Sequence, residues 1–222
     1  EEEAMEKEKY DPEAESELAS FGAERSGATN WPLEEELMQS LVWPESSKLY
    51  GHGNDLSCLT VFKDRMMASA SEATSAKDAE IILWDCQNYT ELKRLPGHDL
   101  TITELAFNHS GTALLSVSRD RTFCLYTLPP DTSDPASFTL LLRSPTPHSR
   151  ALTSVAWAPD DALFATGARD KTLAVWPGTA SSLDAPGSRK LGSRKFEAAV
   201  TALGFAPRRC GGRAMLAVGL ES

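Results

Sequence analysis

The sequence predicts an all-β fold: a partial β-propeller of about three and a half four-stranded blades, preceded by an acidic disordered segment and a short helix. Two observations support this prediction. Short apolar runs, split by turn residues, begin near Lys48, and the histidines that open successive copies lie 46 and 50 residues apart. The complete copies also share one order of parts: a strand, a turn, a second strand and a third strand that closes on an aromatic residue. Repeats of this length, built from short strands, are typical of propeller blades.

The copies align strand by strand. The first strand of each copy is small and apolar and covers residues 58–62, 102–107, 152–157 and 200–205. The second strands cover 66–70, 113–117, 162–167 and 214–219, and the third strands cover 81–85, 122–126 and 172–176. Loop insertions at 72–78 and 128–146 account for the long periods. We therefore expect blades at 48–93, 94–143 and 144–190, and an incomplete blade at 191–222.

The residues ahead of the repeats have a different composition. Fourteen acids face three bases between residues 1 and 45, and apolar residues are sparse in 1–30, so we expect disorder there. Residues 31–47 form a linker in which Leu33, Leu37, Met38 and Leu41 share one helical face. That spacing predicts a short amphipathic helix.

Charge and cysteine usage exclude several classes of protein. The net charge of −10 belongs to the leading segment, because residues 46–222 sum to +1. Bulk charge therefore does not indicate non-specific nucleic-acid binding. The four cysteines form no C-x-x-C pair, so we expect reduced thiols and no metal site or cofactor. No apolar run approaches the ~20 residues that span a membrane. The chain starts without methionine and stops inside an apolar pattern, so we expect a piece of a longer intracellular protein.

Two copies carry a recurring polar set that resembles a hydrolase triad. It consists of a histidine, a strand hydroxyl, a turn aspartate and an aromatic residue: His98, Ser116, Asp120 and Tyr126, then His148, Thr166, Asp170 and Trp176. The first copy has His52 and Trp84 but no turn aspartate. A catalytic triad is needed once, whereas this set recurs in register with the strands, and no G-x-S-x-G pattern accompanies it. We interpret the set as structural and expect no catalytic residue. The alternative is an enzyme that uses His98, Ser116 and Asp120.

The four copies resemble the WD40 repeat family over residues 48–222. The resemblance implies that the polar set is a buried hydrogen-bond chain from the aromatic residue, through the hydroxyl and the imidazole, to the aspartate. Tyr126 stands where that family usually has tryptophan and keeps a hydroxyl for the chain. The first copy lacks the aspartate, so we expect its blade to be looser.

Cations beside the turn aspartates are candidate partner-binding residues. Arg119, Arg121, Arg169 and Lys171 could bind an acidic helix or a phosphate, and solvated turn charge is an equal alternative. Further basic pairs at 189–190, 194–195 and 208–209 fall in predicted loops. A nucleic-acid contact there stays open, although we find no aromatic interleaving.

The segment 34–45, running into 48–53, resembles the family of second subunits of the Elongator complex. The resemblance implies a WD40 scaffold subunit, found in cytoplasm and nucleus, that supports a complex modifying the wobble uridine of tRNA at carbon 5. Its implied partners are the first subunit and the catalytic third subunit, with at most an indirect or weak tRNA contact, no membrane and no small-molecule substrate. No catalytic or cofactor residue carries over. The alternative is a generic WD40 adaptor in a ubiquitin-ligase, chromatin or signalling complex.

Overall fold

The computed structural model describes residues 47–128, 134–145, 147–178, 190–208 and 213–221. The acidic segment and the linker helix that the sequence predicts lie outside these residues. Fourteen strands make up the regular structure of the described part, with a single 3-10 helix at Pro135–Ser137. The all-β fold class is confirmed.

The strands form three four-stranded sheets and one two-stranded sheet, and neighbours in sequence pair antiparallel within each. The first sheet holds β1 (Leu56–Phe62), β2 (Met66–Ser71), β3 (Ile81–Asp85) and β4 (Thr90–Leu95). The second holds β5 (Ile102–Phe107), β6 (Ala113–Ser118), β7 (Phe123–Thr127) and β8 (Thr139–Arg143). The third holds β9 (Leu152–Trp157), β10 (Leu163–Ala168), β11 (Thr172–Pro177) and β12 (Gly192–Lys195). The fourth holds β13 (Val200–Phe205) and β14 (Leu216–Leu220).

One repeat boundary differs from the sequence analysis. Residues from 191 onward are expected in the fourth copy, but β12 pairs with β11, with Thr172 opposite Lys195 and Val175 opposite Gly192. The third sheet therefore extends to Lys195. The reason is that β12 is polar on both faces, so its sequence carries no apolar alternation that would reveal a strand.

A turn glycine fixes how the first two sheets meet. Between β5 and β6, the side-chain carbonyl of Asn108 accepts hydrogen bonds from the backbone of Thr112 and Ala113, each at 2.9 Å. Gly111 completes this turn with φ +74°, a left-handed conformation that favours glycine. A Cβ on Gly111 would lie 2.2 Å from the ring of Phe62 in the first sheet. The turn therefore packs directly on its neighbour.

The first strands of the four sheets run side by side, because β5 contacts both β1 and β9, and β9 contacts β13. Side chains on these strands bond across to the next sheet. The Thr103 hydroxyl donates to the carbonyl of Leu152 at 2.9 Å, and the Thr153 hydroxyl donates to that of Val200 at 2.6 Å. Glu104, half-buried on β5, accepts a hydrogen bond from the Val155 backbone N–H at 2.6 Å. These bonds repeat the geometry of one sheet junction at the next.

Apolar cores fill the junctions between sheets. Between the second and third sheets, Phe123 lies 5.3 Å from Phe164 and 5.0 Å from Trp176, measured between ring centroids. The first sheet, by contrast, has one uncovered face. Leu59 on β1 and Leu105 on β5 both lie opposite the network hydroxyl of the neighbouring strand, yet Leu59 is 54% exposed and Leu105 only 5%. Within the described residues nothing packs on β1 as β1 packs on β5.

Candidate functional site

The second sheet assembles the polar set that the sequence singles out. His98 lies in the loop between β4 and β5, Ser116 on β6 and Asp120 in the turn after β6. The imidazole Nε2 is 2.7 Å from the Ser116 hydroxyl, and Nδ1 is 2.9 Å from the Asp120 carboxylate. The Thr122 hydroxyl donates to Asp120 at 2.6 Å and is therefore not a donor to Nδ1 of His98. Nδ1 carries the hydrogen and donates it to the Asp120 carboxylate, so Nε2 accepts from the Ser116 hydroxyl.

The third sheet builds the complete chain of hydrogen bonds. The indole N–H of Trp176 donates to Thr166 at 2.9 Å, and Thr166 is 2.9 Å from Nε2 of His148. Nδ1 of His148 lies 2.9 Å from Thr172 and 3.3 Å from Asp170. Because the Thr172 hydroxyl donates to Asp170, Nδ1 is the donor here too. A neutral imidazole satisfies every member of this chain.

The first sheet holds a shorter version. Nε2 of His52 and the indole N–H of Trp84 both lie 2.8 Å from the hydroxyl of Ser69. Ser69 is a site residue that sequence reasoning missed, although it aligns with Ser116 and Thr166 on the second strand of each copy. Burial lowers the pKa of His52, and the nearby Arg94 guanidinium adds to this effect.

The missing aspartate of the first sheet is accounted for by backbone geometry. In every sheet one backbone N–H after the second strand donates to the carbonyl just before the first strand, over 2.8 to 3.0 Å; the donors are Glu72, Arg119, Arg169 and Glu221. The residue after Glu72 is Ala73, which therefore stands where Asp120 and Asp170 stand. Ala73 offers no acceptor to the imidazole.

The Tyr126 hydroxyl has two polar neighbours. It donates to the backbone carbonyl of Pro96 at 3.2 Å, and burial raises its pKa while the side-chain interaction with Ser116 of the imidazole chain opposes that shift. The phenol oxygen lies at the far end of the ring, against Gly97, where a Cβ would come within 2.5 Å of it. An indole N–H sits closer to the strand, which explains why Trp84 and Trp176 reach the hydroxyl.

Burial and hydrogen bonding set the charge states of these groups. Burial lowers the pKa of His148, although the Asp170 carboxylate opposes this shift. Burial also acts to raise the pKa of Asp170 and Asp120. Hydrogen bonds outweigh that effect and hold both pKa values below the ordinary range, chiefly from Thr172 for Asp170 and from His98 for Asp120. The aspartates are therefore ionised acceptors at neutral pH.

The Ser-His-Asp geometry of the second sheet lacks access for a substrate. Ser116 has no exposed surface and His98 is 2% exposed. A nucleophile must meet the reacting atom, and here the surrounding strands fill that space. The same arrangement recurs in the third sheet with a threonine, as expected for a structural network.

The four candidate partner-binding cations lie in turns at one end of the sheets. Arg119 and Arg121 follow β6, Arg169 and Lys171 follow β10, and all four are exposed. Arg121 and Lys171 occupy left-handed backbone positions, at φ 71° and 68°. Within the described part, no carboxylate lies within 4.0 Å of any of the four, and the Lys171 ammonium donates to the backbone carbonyl of Glu197 at 2.7 Å.

The matching turn of the first sheet is acidic. It borders a polar notch of about 440 Å³ between the first and second sheets, lined among others by Asp55, Glu72, Thr101 and Arg119. Among the described residues no three His, Cys, Asp or Glu side chains form a metal-binding group, and no described helix is long and apolar enough to cross a membrane.

One expectation about the basic pairs is wrong. Arg194 and Lys195 do not fall in a loop but on β12, the outermost strand of the third sheet. The guanidinium of Arg194 lies over the ring of Phe196, 5.4 Å from its centroid. Aromatic interleaving is therefore present, and the signal for it was the sequence Arg194-Lys195-Phe196 itself.

Comparison with known proteins agrees with this architecture. Residues 89–127 and 140–177 match the family described as WD domain, G-beta repeat. The chain is 42% identical over 146 residues to Elongator complex protein 2 of Dictyostelium discoideum and 36% identical over 203 residues to that of Danio rerio. It is 39% identical over 154 residues to Elongator complex protein 2 of Homo sapiens. The chain belongs to the Elongator complex protein 2 family of WD40 repeat proteins.

The match to this family covers most of the chain but a small part of each relative. The three alignments cover 65%, 86% and 67% of the chain, and 16%, 25% and 19% of the relatives. Solved structures titled "Structure of U3-55K" and "Crystal structure of RRP9 WD40 repeats" superpose with a TM-score of 0.57 at 20% and 21% identity. Each superposition covers 70% of this chain, and it covers 44% of the first structure and 43% of the second. These two likenesses support the WD40 fold alone.

Proposed function

We propose that this chain is a non-catalytic WD40 scaffold subunit of the Elongator complex. It would hold the first subunit and the catalytic third subunit in one geometry, in the cytoplasm and the nucleus. It would thereby support modification of the wobble uridine of tRNA at carbon 5. The observation that carries the proposal is the 36% to 42% identity with Elongator complex protein 2 from three organisms, about twice the 20% to 21% identity with the two WD40 structures.

The assignment of a non-catalytic role rests on how the reactive side chains are used. His98, His148 and their hydroxyl and carboxylate partners are buried and bonded to one another. A fully satisfied polar network makes a sheet rigid, and rigid sheets hold their connecting turns at fixed positions. Such turns are suited to binding another protein, because little conformational entropy is lost when they bind.

The exposed turn cations are the docking surface we assign to this function. Arg119, Arg121, Arg169 and Lys171 repeat in adjacent sheets, and the carboxylates between them, Asp120 and Asp170, are occupied by the imidazole networks. Positive charge thus remains available on this end of the second and third sheets. An acidic segment of another subunit is the complementary partner, since arginine and carboxylate pair in a bidentate geometry.

Affinity purification of the tagged chain, followed by mass spectrometry, tests both parts of the proposal. We expect the first and third Elongator subunits to be recovered with the wild-type chain. Charge reversal at Arg119→Glu together with Arg169→Glu should lower their recovery at least tenfold, because like charges across an interface repel. Arg65→Glu is the control, since Arg65 is exposed in the turn between β1 and β2, at the opposite end of the sheets.

Three outcomes separate the hypotheses. Recovery of ubiquitin-ligase, chromatin or signalling proteins without other Elongator subunits would contradict the Elongator assignment in favour of a generic adaptor. Equal recovery with the double variant and the wild type would leave the scaffold role intact but remove the turn cations from it. Loss of recovery with the Arg65→Glu control would show that charge reversal acts non-specifically.

A further inference from the structure

The outer strand of the third sheet differs from the outer strands of the other two sheets. All four residues of β12 are exposed, and β12 pairs only with β11 in the described part of the chain. Charged side chains on an edge strand prevent it from pairing with another chain, and β4 and β8 carry charges as well. The difference lies in whether those charges are neutralised.

The arginines of the first two outer strands are paired with carboxylates, whereas Lys93 on β4 has no carboxylate within 4.0 Å among the described residues. Arg94 on β4 lies 2.8 Å from Glu91 and 4.0 Å from Glu80. Arg143 on β8 bonds to Asp99 and lies 3.5 Å from Asp120. The positive charge of each arginine is thereby balanced within its own sheet.

No such balance exists on β12. Within the described residues, neither Arg194 nor Lys195 has a carboxylate within 4.0 Å, and the exposed Lys190 precedes them. Lys171 lies beside this strand end, because its backbone carbonyl accepts from the N–H of Phe196 at 2.8 Å. The nearby Asp170 carboxylate is occupied, since it accepts from Thr172 and from the backbone of Ser149.

The arrangement of the cations suits a polyanion that follows the strand edge. Neighbouring residues of a strand project to opposite faces of the sheet, so Arg194 and Lys195 flank the edge from its two sides. A chain of phosphates along the edge would pass between them. Lys171 extends the positive charge beyond the end of the strand.

Phe196 is the feature that distinguishes nucleic acid from an acidic peptide. The guanidinium of Arg194 lies over its ring with 5.4 Å between the guanidinium carbon and the ring centroid. Planar guanidinium and aromatic groups are the surfaces on which unpaired bases stack. An acidic peptide would use the positive charge but gain nothing from this stack.

We propose that β12, with Lys171, Arg194, Lys195 and Phe196, forms a binding site for single-stranded RNA on the rim of the third sheet. The cations contact the phosphates, and the Arg194–Phe196 stack accepts a base. Of the four turn cations assigned to subunit docking, only Lys171 also belongs to this site. It is a property of the chain alone and does not depend on assembly with other subunits.

Fluorescence anisotropy with a labelled 12-nucleotide oligouridine and the full 222-residue chain tests the site. Arg194→Ala with Lys195→Ala should weaken binding at least tenfold. The same pair should lower the salt slope of log K by about 1.4, since each phosphate contact on a single strand contributes about 0.7. Phe196→Leu keeps an apolar side chain and should weaken binding about fivefold or more with an unchanged salt slope, because stacking is not ionic.

A matched control exists in the first sheet. Lys63 and Arg65 are exposed in the turn between β1 and β2, and the Lys63 ammonium lies over the Phe62 ring at 5.0 Å. Lys63→Ala with Arg65→Ala therefore removes the same charge, including one cation on an aromatic ring, and should leave the affinity within twofold of wild type. Circular dichroism checks that all variants fold.

Several results would overturn the proposal. They are absence of binding by the wild-type chain, equal weakening by the control pair, or an affinity unaffected by the β12 pair. Displacement of the RNA by a decaglutamate peptide as effectively as by unlabelled oligouridine would show a surface that recognises charge alone. None of these results bears on recovery of the other Elongator subunits, so the two proposals fail independently.

Discussion

Ser116→Ala is the most direct test of the buried imidazole network. Ser116 has no exposed surface and donates to Nε2 of His98 at 2.7 Å, so alanine leaves that nitrogen without a partner in a site that water does not reach. A buried polar atom left unpaired costs about 1 to 3 kcal/mol. For a domain of this size, 1 kcal/mol lowers the melting temperature by roughly 2 to 4 °C. We therefore expect a fall of about 4 to 8 °C, from a loss near 2 kcal/mol.

Differential scanning fluorimetry and urea unfolding measure this loss, with Ser193→Ala as the control. Ser193 lies exposed on β12, and its replacement should change the free energy of unfolding by less than about 0.5 kcal/mol. An unchanged melting temperature for Ser116→Ala would refute the structural role. Abolished turnover of an ester substrate at unchanged stability would favour the enzyme hypothesis instead.

Three further predictions concern other parts of the fold. Glu104→Ala should lower the free energy of unfolding, measured by urea titration, by about 1 to 3 kcal/mol, because it leaves the backbone N–H of Val155 on β9 unpaired. Glu104→Gln keeps an acceptor and should retain most of the stability. The pKa of His148 is lowered from 6.5 in the folded chain, so below pH 6.5 the unfolded state takes up the proton first. Stability should therefore fall on acidification below pH 6.5 by up to about 1.4 kcal/mol per pH unit, and a flat urea midpoint between pH 7.5 and 5.5 would contradict this. Gly111→Ala should destabilise the fold by about 2 kcal/mol or more, since its Cβ would lie 2.2 Å from the Phe62 ring. Gly192→Ala, with open space around the new Cβ, should leave the stability unchanged. Equal melting temperatures of the two variants would disprove the contact.

Much of the fold follows from local pattern. The first three strands of each complete copy lie within a few residues of their expected positions, because each is a short apolar run that ends at a turn. Their second strands carry Ser69, Ser116 and Thr166 in register, and the repetition of that hydroxyl identified two of the three network positions. The outer strands gave no comparable signal. β12 consists of Gly-Ser-Arg-Lys and is held by backbone bonds to β11, which a hydropathy pattern does not record.

The candidate site shows the same division. The resemblance to the WD40 family was enough to predict that His98 and His148 each meet a hydroxyl and an aspartate. The direction of the Tyr126 hydroxyl was not predictable, because it depends on which carbonyl lies at the end of the ring. The sequence also did not show that Ala73 takes the place of the missing aspartate. Only backbone pairing aligns the nine residues between β2 and β3 with the four between β6 and β7.

The sequence by itself determined the number of repeats, the order of their strands and the kinship with Elongator complex protein 2, and it predicted a structural role for the Ser-His-Asp set. These depend on periodicity and on residue type, which are local and additive along the chain. Only the tertiary structure decided that β12 closes the third sheet, that Tyr126 bonds to Pro96 and that Arg194 lies over Phe196. The reason is physical: strand pairing and side-chain stacking depend on distances between groups, and those distances exist only once the sheets have formed.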